Sequence, residues 1–317
     1  MVGIVILNYN NWQDTINCIN SIETYNSALV KIIVVDNGST NNSVYNLNEY
    51  FSNKFKTKYR KLNATELVSD FPYISLVVNN TNEGYARGNN VGLYLIMNDR
   101  SITDVLILNN DILLIEDIIP ELIKTKRHYN DSAIITPLLL EKDGSTIDIT
   151  CARSQYTVKQ EIIYNFFHYI FSEYVDRKLS VRYILKGYNL GKKIIPIQVP
   201  SGACMLIDKS FFESIGFFDP STFLYWEESI LYEKVKQNNK QNYLNANARC
   251  IHLGGASTNT NTTSRFCLRC GNHSARYFMR KYSNCGILLY FLFYLSTIFN
   301  VVMFEVRNML IKLKYRK

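Results

Sequence analysis

Four short apolar runs in the first 111 residues, 3–7, 32–35, 74–78 and 105–108, constrain the fold more than any other feature of the chain. Each ends in a polar group: Asn8-Tyr9-Asn10, Asp36-Asn37-Gly38-Ser39, residues 79–82, and Asn109-Asn110-Asp111. Apolar runs of this length, separated by segments with room for helices, predict a parallel α/β sheet buried on both faces. Between the first two runs, WQDTINCINSIETY can form a helix with Ile16, Ile19 and Ile22 toward the sheet, which makes the opening a βαβ unit. Open α/β sheets bind ligands at the carboxyl ends of their strands, so the recurring polar groups predict a site on one sheet edge.

At 317 residues, with 47% hydrophobic and 20% charged residues, the chain suits one large or two medium domains with a sizeable core. The net charge of +8 is concentrated at the far end. Residues 265–317 carry Arg265, Arg269, Arg276, Arg280, Lys281, Arg307, Lys312, Lys314, Arg316 and Lys317 against one acid, Glu305. These cations flank the uncharged stretch 286–304, which is about long enough to cross a bilayer. A helix in or across a membrane and a helix covered by protein both fit this pattern. Because the cations cluster around an apolar segment and do not interleave with stacking aromatics, nucleic acid is not an expected partner. The amino terminus enters directly on an apolar strand pattern without an export signal, so the body is expected in the cytoplasm. Seven scattered cysteines fit reduced thiols. Cys267, Cys270 and His273 have zinc-like spacing, but one short cluster reads more simply as ordinary thiols.

Residues 51–71 read as irregular or as a helical excursion, and from about 140 to 195 the pattern loosens into an aromatic and then basic stretch expected to be mobile or to face an acceptor. Order returns with a strand at 203–207, a short helix, the turn Asp219-Pro220, Glu227-Glu228 at or near a helix start, and a strand running into His252. Gly84 to Gly88 lacks the spacing of a dinucleotide fingerprint, and 187–192 is too short for a P-loop. Asp36 and Asp111 each follow an apolar run. Alone, either is a turn residue; together they suit a division in which one carboxylate accepts bonds from a base or ribose and the other holds Mg²⁺ or Mn²⁺.

The segments VILNYNN, VVDNGSTNNS, NEGYARGNNVG, LILNND, SGACMLIDKSFFESIGFFDPSTFLYWEES and HLGGAST occur in one order over residues 2–258. In that order they resemble family 2 glycosyltransferases of the GT-A fold, in the branch with rhamnosyltransferases and related polysaccharide-assembly enzymes. The resemblance implies a Rossmann-like, mostly parallel mixed sheet flanked by helices, with a C-terminal apolar helical tail. It divides residues 1–258 into a nucleotide-sugar half (1–115) and an acceptor and catalytic half of the same domain (116–258); residues 259–317 follow as a basic and apolar helical segment, for which membrane association and cover by protein both stay open.

Carried onto this sequence, the resemblance implies that Asn8, Tyr9 and Asn10 line the base and ribose pocket with Asp36 and Asn37. Asn82, Gly84, Arg87, Gly88 and Asn90 would shape the sugar-nucleotide loop. Asn109-Asn110-Asp111 stands at the family's metal motif, with Asp111 as ligand and His252 completing the metal or diphosphate site. Glu227-Glu228 stands at the acidic pair whose second member is the general base, and Arg276, Arg280 and Lys281 are weaker candidates for phosphate contacts. Glu228 replaces the usual Asp, Ile230 replaces an acid often found two residues later, and Asn41 and Asn42 stand where the nucleotide loop often carries an acid. The implied partners are a dTDP- or UDP-sugar, a saccharide or lipid-linked acceptor, the inner face of a membrane, and a second copy as a homodimer. A degenerate sugar-nucleotide-binding or scaffold subunit is the alternative.

Overall fold

The computed structural model describes residues 1–64, 66, 71–171, 175, 183–185, 193–254 and 261–314. Most of the basic stretch 177–193 and the loop 255–258, both expected near the site, lie outside the described residues.

The four apolar runs become β1 (Val2–Asn8), β2 (Val30–Asp36), β4 (Ile74–Val78) and β5 (Asp104–Asn109), all parallel. Helices α1 (Trp12–Tyr25), α2 (Ser43–Phe55) and α3 (Gly84–Asn98) alternate with them. Successive side chains of β1 point to opposite faces, so Ile4 and Ile6 join one core cluster with Ile19 of α1 and Leu47 of α2, while Val5 joins a second with Leu93 of α3. Both clusters are closed to solvent, which is why the strands read as unbroken apolar runs.

A strand expected in neither reading of 51–71 is β3 (Tyr59–Asn63), which pairs parallel to β4 at the sheet edge. Its sequence, YRKLN, buries only Leu62; an edge strand covered on little of its surface has no periodic apolar signature.

The second half extends the same sheet in mixed sense. It adds β6 (Ile112–Leu114), α4 (Ile118–His128), β7 (Ser132–Leu140), β8 (Ala152–Arg153), α5 (Val158–Phe167), β9 (Ile194–Ile197), β10 (Val199–Pro200), β11 (Cys204–Asp208), α6 (Lys209–Ser214), α7 (Glu227–Gln237) and β12 (Gln241–His252). The main order is β3-β4-β2-β1-β5-β11-β7-β12-β6. β12 is irregular between Asn245 and Arg249; its first part pairs with β9 and its end with β6, which sets His252 opposite Ile112. The aromatic stretch expected to be loose forms α5, started by a capping box in which Thr157 and Gln160 satisfy each other's backbone amides.

Helices α8 (Asn261–Lys281) and α9 (Ile287–Lys314) dock through a third cluster built from Ile162, Ile230, Ala275, Phe278, Met279 and Phe293. Ile230 therefore has a packing role: it is fully buried on the side of α7 that receives these helices, where an acid would be desolvated. Two basic residues of α8, Arg276 and Lys281, are likewise engaged in docking. Lys281, Tyr277 and Tyr282 donate to Asp219 Oδ2 at 2.9, 2.8 and 2.6 Å, and Arg276 Nε donates to Thr297 Oγ1 at 2.8 Å. Arg276 and Lys281, the weaker phosphate candidates of the sequence, are thus each bonded within the protein.

Candidate active site

The parallel register levels the strand ends, with Asn8 opposite Asp36 and Leu7 opposite Asn109. Asp36 is fully buried, and its oxygens accept from Asn8 Nδ2 (2.7 Å), Ser39 N (2.9 Å) and Ser39 Oγ (2.8 Å). Asn37 is buried too, donating to Asn82 Oδ1 at 2.9 Å and to the Gly84 carbonyl at 3.1 Å, and accepting from Asn79 Nδ2 at 3.0 Å. Asn90 binds both backbone polar groups of Phe218, its amide donating at 2.9 Å and its oxygen accepting at 3.3 Å. Asp36, Asn37 and Asn90 thus already have protein partners, which tie the strand ends to the neighbouring loops. Their polar atoms face neighbouring loops, and they shape the site by holding those loops together.

The same economy governs the next residues. Asn10, at φ 56, ties down the loop after β2, its side-chain Oδ1 accepting from Thr40 N at 2.8 Å and its backbone N–H donating to Ser39 Oγ at 2.9 Å. Tyr9 beside it is half-buried. Asn82 caps the entry to α3 by accepting from Gly84 N at 2.9 Å. Gly84 has φ +78, and a Cβ there would fall 2.2 Å from the Phe223 carbonyl oxygen, so only glycine fits. Gly88 lets α3 approach β1: its Cβ would meet Leu7 at 2.7 Å. Arg87 is exposed, with Nε donating to the Pro220 carbonyl at 2.7 Å.

On the other side of β1 lies the acidic edge. Asn110 Nδ2 donates to Thr15 Oγ1 at 3.0 Å and to the Asn11 carbonyl at 3.1 Å, orienting the turn that carries Asp111. Asp111 Oδ2 lies 3.6 Å from His252 Nε2, while its Oδ1 is buried without a hydrogen-bond partner. Asp148 faces the other ring nitrogen, with Oδ2 3.2 Å from His252 Nδ1. Burial opposes a charged imidazolium, yet the two carboxylates outweigh it and raise the His252 pKa to about 10. A histidine between two carboxylates marks a place where positive charge is strongly favoured. An unsatisfied carboxylate oxygen beside an imidazole nitrogen, with the second nitrogen held by a carboxylate, is a donor set suited to Mn²⁺ or Mg²⁺. Among the described residues no group of three or more His, Cys, Asp or Glu converges as a metal site.

Across the cleft, Glu227 and Glu228 open α7. Tyr225 and Trp226 immediately before them both have positive φ, 70 and 73, uncommon for aromatic side chains. Trp226 is held by Phe278 at a ring distance of 5.0 Å, so packing from α8 sustains the turn that aims the acidic pair. Glu227 is buried with Oε1 unpartnered; burial, and then the charge of Glu228, push its pKa up to about 8. Glu228 Oε1 instead accepts from Gly202 N at 3.1 Å and lies 3.7 Å from an Arg153 guanidinium nitrogen. A neutral acid beside a carboxylate relieves the repulsion of two like charges and gives the pair two different capacities.

His252, Asn109, Glu227 and Glu228 line one cleft of about 810 Å³. Its walls include Arg153, Tyr156, Tyr164, Tyr225 and Trp226, a mixture of aromatic faces and polar groups. Arg153, Asp148, Tyr85 and Gly202 are residues the sequence reading missed. Asp148 and Arg153 fall in the stretch read as loose, and a single sequence offers no signal that they fold back onto β12 and α7.

A mixed, largely parallel sheet with polar strand ends, an Asp–His pair at one wall and an acidic pair at the other defines a GT-A-type α/β protein. Residues 3–216 match the glycosyl transferase family 2 domain, and the chain belongs to that family. The match stops short of Glu227, Glu228 and His252, whose assignment therefore rests on the geometry above. A low-salt glycan biosynthesis hexosyltransferase of Haloferax volcanii is 25% identical over 238 residues, or 75% of this chain. The chain spans 62% of that relative's length. Among solved structures, GalNAc-T7 with UDP, GalNAc and Mn²⁺ superposes over 88% of this chain and 47% of its own, at TM-score 0.57 and 14% identity. S. aureus TarS superposes over 91% of this chain and 41% of its own, at TM-score 0.50 and 11% identity. Both likenesses concern the fold.

Proposed function

We propose that the chain is an inverting, metal-dependent glycosyltransferase that moves a sugar from a nucleoside diphosphate donor to a saccharide or lipid-linked acceptor during glycan assembly. The observation that carries this reading is the presence of His252, with Asp111 3.6 Å away, and Glu228 in one cleft, so that leaving group and acceptor can be served from opposite walls. Family membership and the hexosyltransferase relative support it.

In this reading Glu228 removes the proton of an acceptor hydroxyl as that oxygen attacks the anomeric carbon. Both of its neighbours, the Gly202 amide and Arg153, are donors and match a carboxylate. Glu227, neutral near pH 7 because of its burial, can donate a hydrogen bond to the acceptor or orient its partner. Asp111 and His252 would hold a divalent cation, which when bound supplies positive charge for the departing diphosphate. Tyr9 and Asn10, with Asn82 and Arg87, form the strand-end surface offered to the nucleotide, ordered from behind by the buried Asn8, Asp36, Asn37 and Asn90 and shaped by Gly84 and Gly88. Rhamnose from dTDP-rhamnose is the donor the sequence resemblance favours, and the basic, apolar C-terminal segment favours work at the inner face of a membrane.

The test is transfer by purified protein across a panel of sugar nucleotides with Mn²⁺, Mg²⁺ or chelator, comparing the native chain with Asp111→Ala and Glu228→Gln. Metal-dependent turnover of one donor, lost in both variants, is expected. Donor binding without turnover for any acceptor would instead identify a sugar-nucleotide-binding subunit.

A further inference from the structure

Helix α9 is polar on the side it buries and apolar on the side it exposes. Its inner stripe is Phe293, Ser296, Thr297 and Asn300, all fully or almost fully buried. Asn165 of α5 donates to Ser296 Oγ at 3.1 Å, and Arg276 of α8 donates to Thr297 Oγ1 at 2.8 Å. Its outer face carries Leu288 (82% exposed), Phe291, Leu295, Val302, Met309 and Leu313. Only 22% of its most apolar stretch is buried inside the protein, which rules out an ordinary core helix. Packed beside it, α5 and the turn after it expose Ile163, Phe167, Ile170 and Phe171. A water-facing pair of helices has the reverse arrangement, and an apolar surface this extended marks a contact with lipid or protein.

Three observations choose among the possible contacts. The hydrogen bonds to Ser296 and Thr297 fasten α9 to the body near its middle, so a crossing α9 would carry the guanidinium of Arg276 and the amide of Asn165 into the bilayer interior at a large cost. Arg269, Arg280, Arg307 and Lys312 are exposed on α8 and α9, while Glu305, the one acid in 265–317, is bonded to Arg265. Two copies packed through these helices would bring cationic segments together, whereas anionic headgroups complement them. Finally, Tyr164, Asn165 and Tyr169 from the α5 side and Asn300 and Phe304 from α9 line the same cleft as Glu228 and His252.

We propose that α5 and α9 form an in-plane platform seated in the headgroup region of an anionic bilayer, and that the cleft opens between them to an acceptor carried on a membrane lipid. Seating on the bilayer stands on the exposed surface and its charge; delivery of the acceptor rests in addition on the glycosyl-transfer reading.

The first experiment is co-sedimentation of the full chain with neutral vesicles and with vesicles containing phosphatidylglycerol, for the native chain and for the double variant Phe291→Glu, Leu295→Glu. Circular dichroism and the thermal midpoint confirm that the variant is folded. Binding selective for the anionic vesicles, reduced at least about tenfold in the variant, is expected. Equal binding of both proteins, or a native chain that dimerises and ignores vesicles, would overturn the platform. Asn284→Cys and Lys312→Cys, each in a chain whose Cys267, Cys270 and Cys285 are serine, then report orientation through an impermeant maleimide. Both react from the side of the body if α9 lies in the plane; reaction from opposite sides would show that it crosses. Transfer to a lipid-linked acceptor should fall with the double variant while turnover of a water-soluble acceptor holds, and an equal loss on both would refute delivery through the membrane. If no acceptor is glycosylated by either protein yet anionic vesicles still bind, the transfer reading fails and the platform stands.

Discussion

Glu228 Oε1 accepts a hydrogen bond from the Gly202 amide at 3.1 Å, and the Gly202 carbonyl accepts one from the Tyr85 hydroxyl at 2.6 Å. One glycine thus joins three parts of the chain: the N-terminus of α7, the approach to β11, and the first turn of α3. A Cβ at this position would lie 2.9 Å from Glu228 Oε1 and 3.0 Å from the Tyr85 hydroxyl. The Glu228 carboxylate ends a flexible side chain and can move aside, while the Tyr85 ring is held edge-on against Phe218, so alanine is accommodated chiefly by displacing the carboxylate. Gly202→Ala should therefore remain folded, with a thermal midpoint close to native, while kcat falls about 10- to 100-fold because the base is displaced. Steady-state kinetics beside a melting curve check this; unchanged kcat would show that Glu228 is not positioned by Gly202.

The Asp148–His252 contact at 3.2 Å predicts a positioning role for Asp148. Asp148→Asn should weaken Mn²⁺ binding about 10- to 100-fold with the donor present, while Asp111→Ala should abolish it. Manganese titration followed by electron paramagnetic resonance reads the metal directly and does not depend on turnover. An Asp148 variant with native affinity would remove this residue from the site.

Glu227 links the site to stability. Its pKa in the folded chain, about 8, stands above the ordinary 4.5, so the native state holds a proton that the unfolded state has released. The stability associated with the neutral acid is complete below about pH 4.5 and is lost as pH rises toward and through about 8. Glu227→Gln keeps a neutral side chain at every pH. Its melting temperature should match the native protein at low pH and exceed it by a few degrees above pH 8. Parallel pH profiles for the two proteins would contradict the assignment of a buried, protonated Glu227.

Asp36 offers a test of whether its role is to hold the strand ends together or to touch the donor. Asp36→Ala removes the acceptor shared by Asn8 and Ser39 and leaves their donors without partners, which should cost about 2–4 kcal/mol in chemical denaturation. A residue that served only to touch the nucleotide would leave stability unchanged and alter donor affinity alone.

The reach of the sequence follows from what local patterns report. Apolar runs announced β1, β2, β4 and β5 because these strands are enclosed on both faces, and chain order placed polar groups at their carboxyl ends. Asp111 was singled out by its place after an apolar run, whereas the roles proposed for His252 and the Glu227-Glu228 pair came from the order of motifs that resembles the family, since neither has a local pattern of its own. Which way a side chain turns at such an end depends on residues far away in sequence, and only the tertiary structure decided it. Asp36 turned inward because Asn8 and Ser39 meet it there, while Asp111 kept an oxygen without a partner. Asp148 and Arg153 entered the site through a segment with no periodicity of its own. Ile230, a departure when read as a motif position, is explained by the helices that pack over it. The apolar character of α9 was plain from composition, but its polar stripe turns inward because Asn165 and Arg276 are there to satisfy it, a pairing between elements that no local pattern encodes.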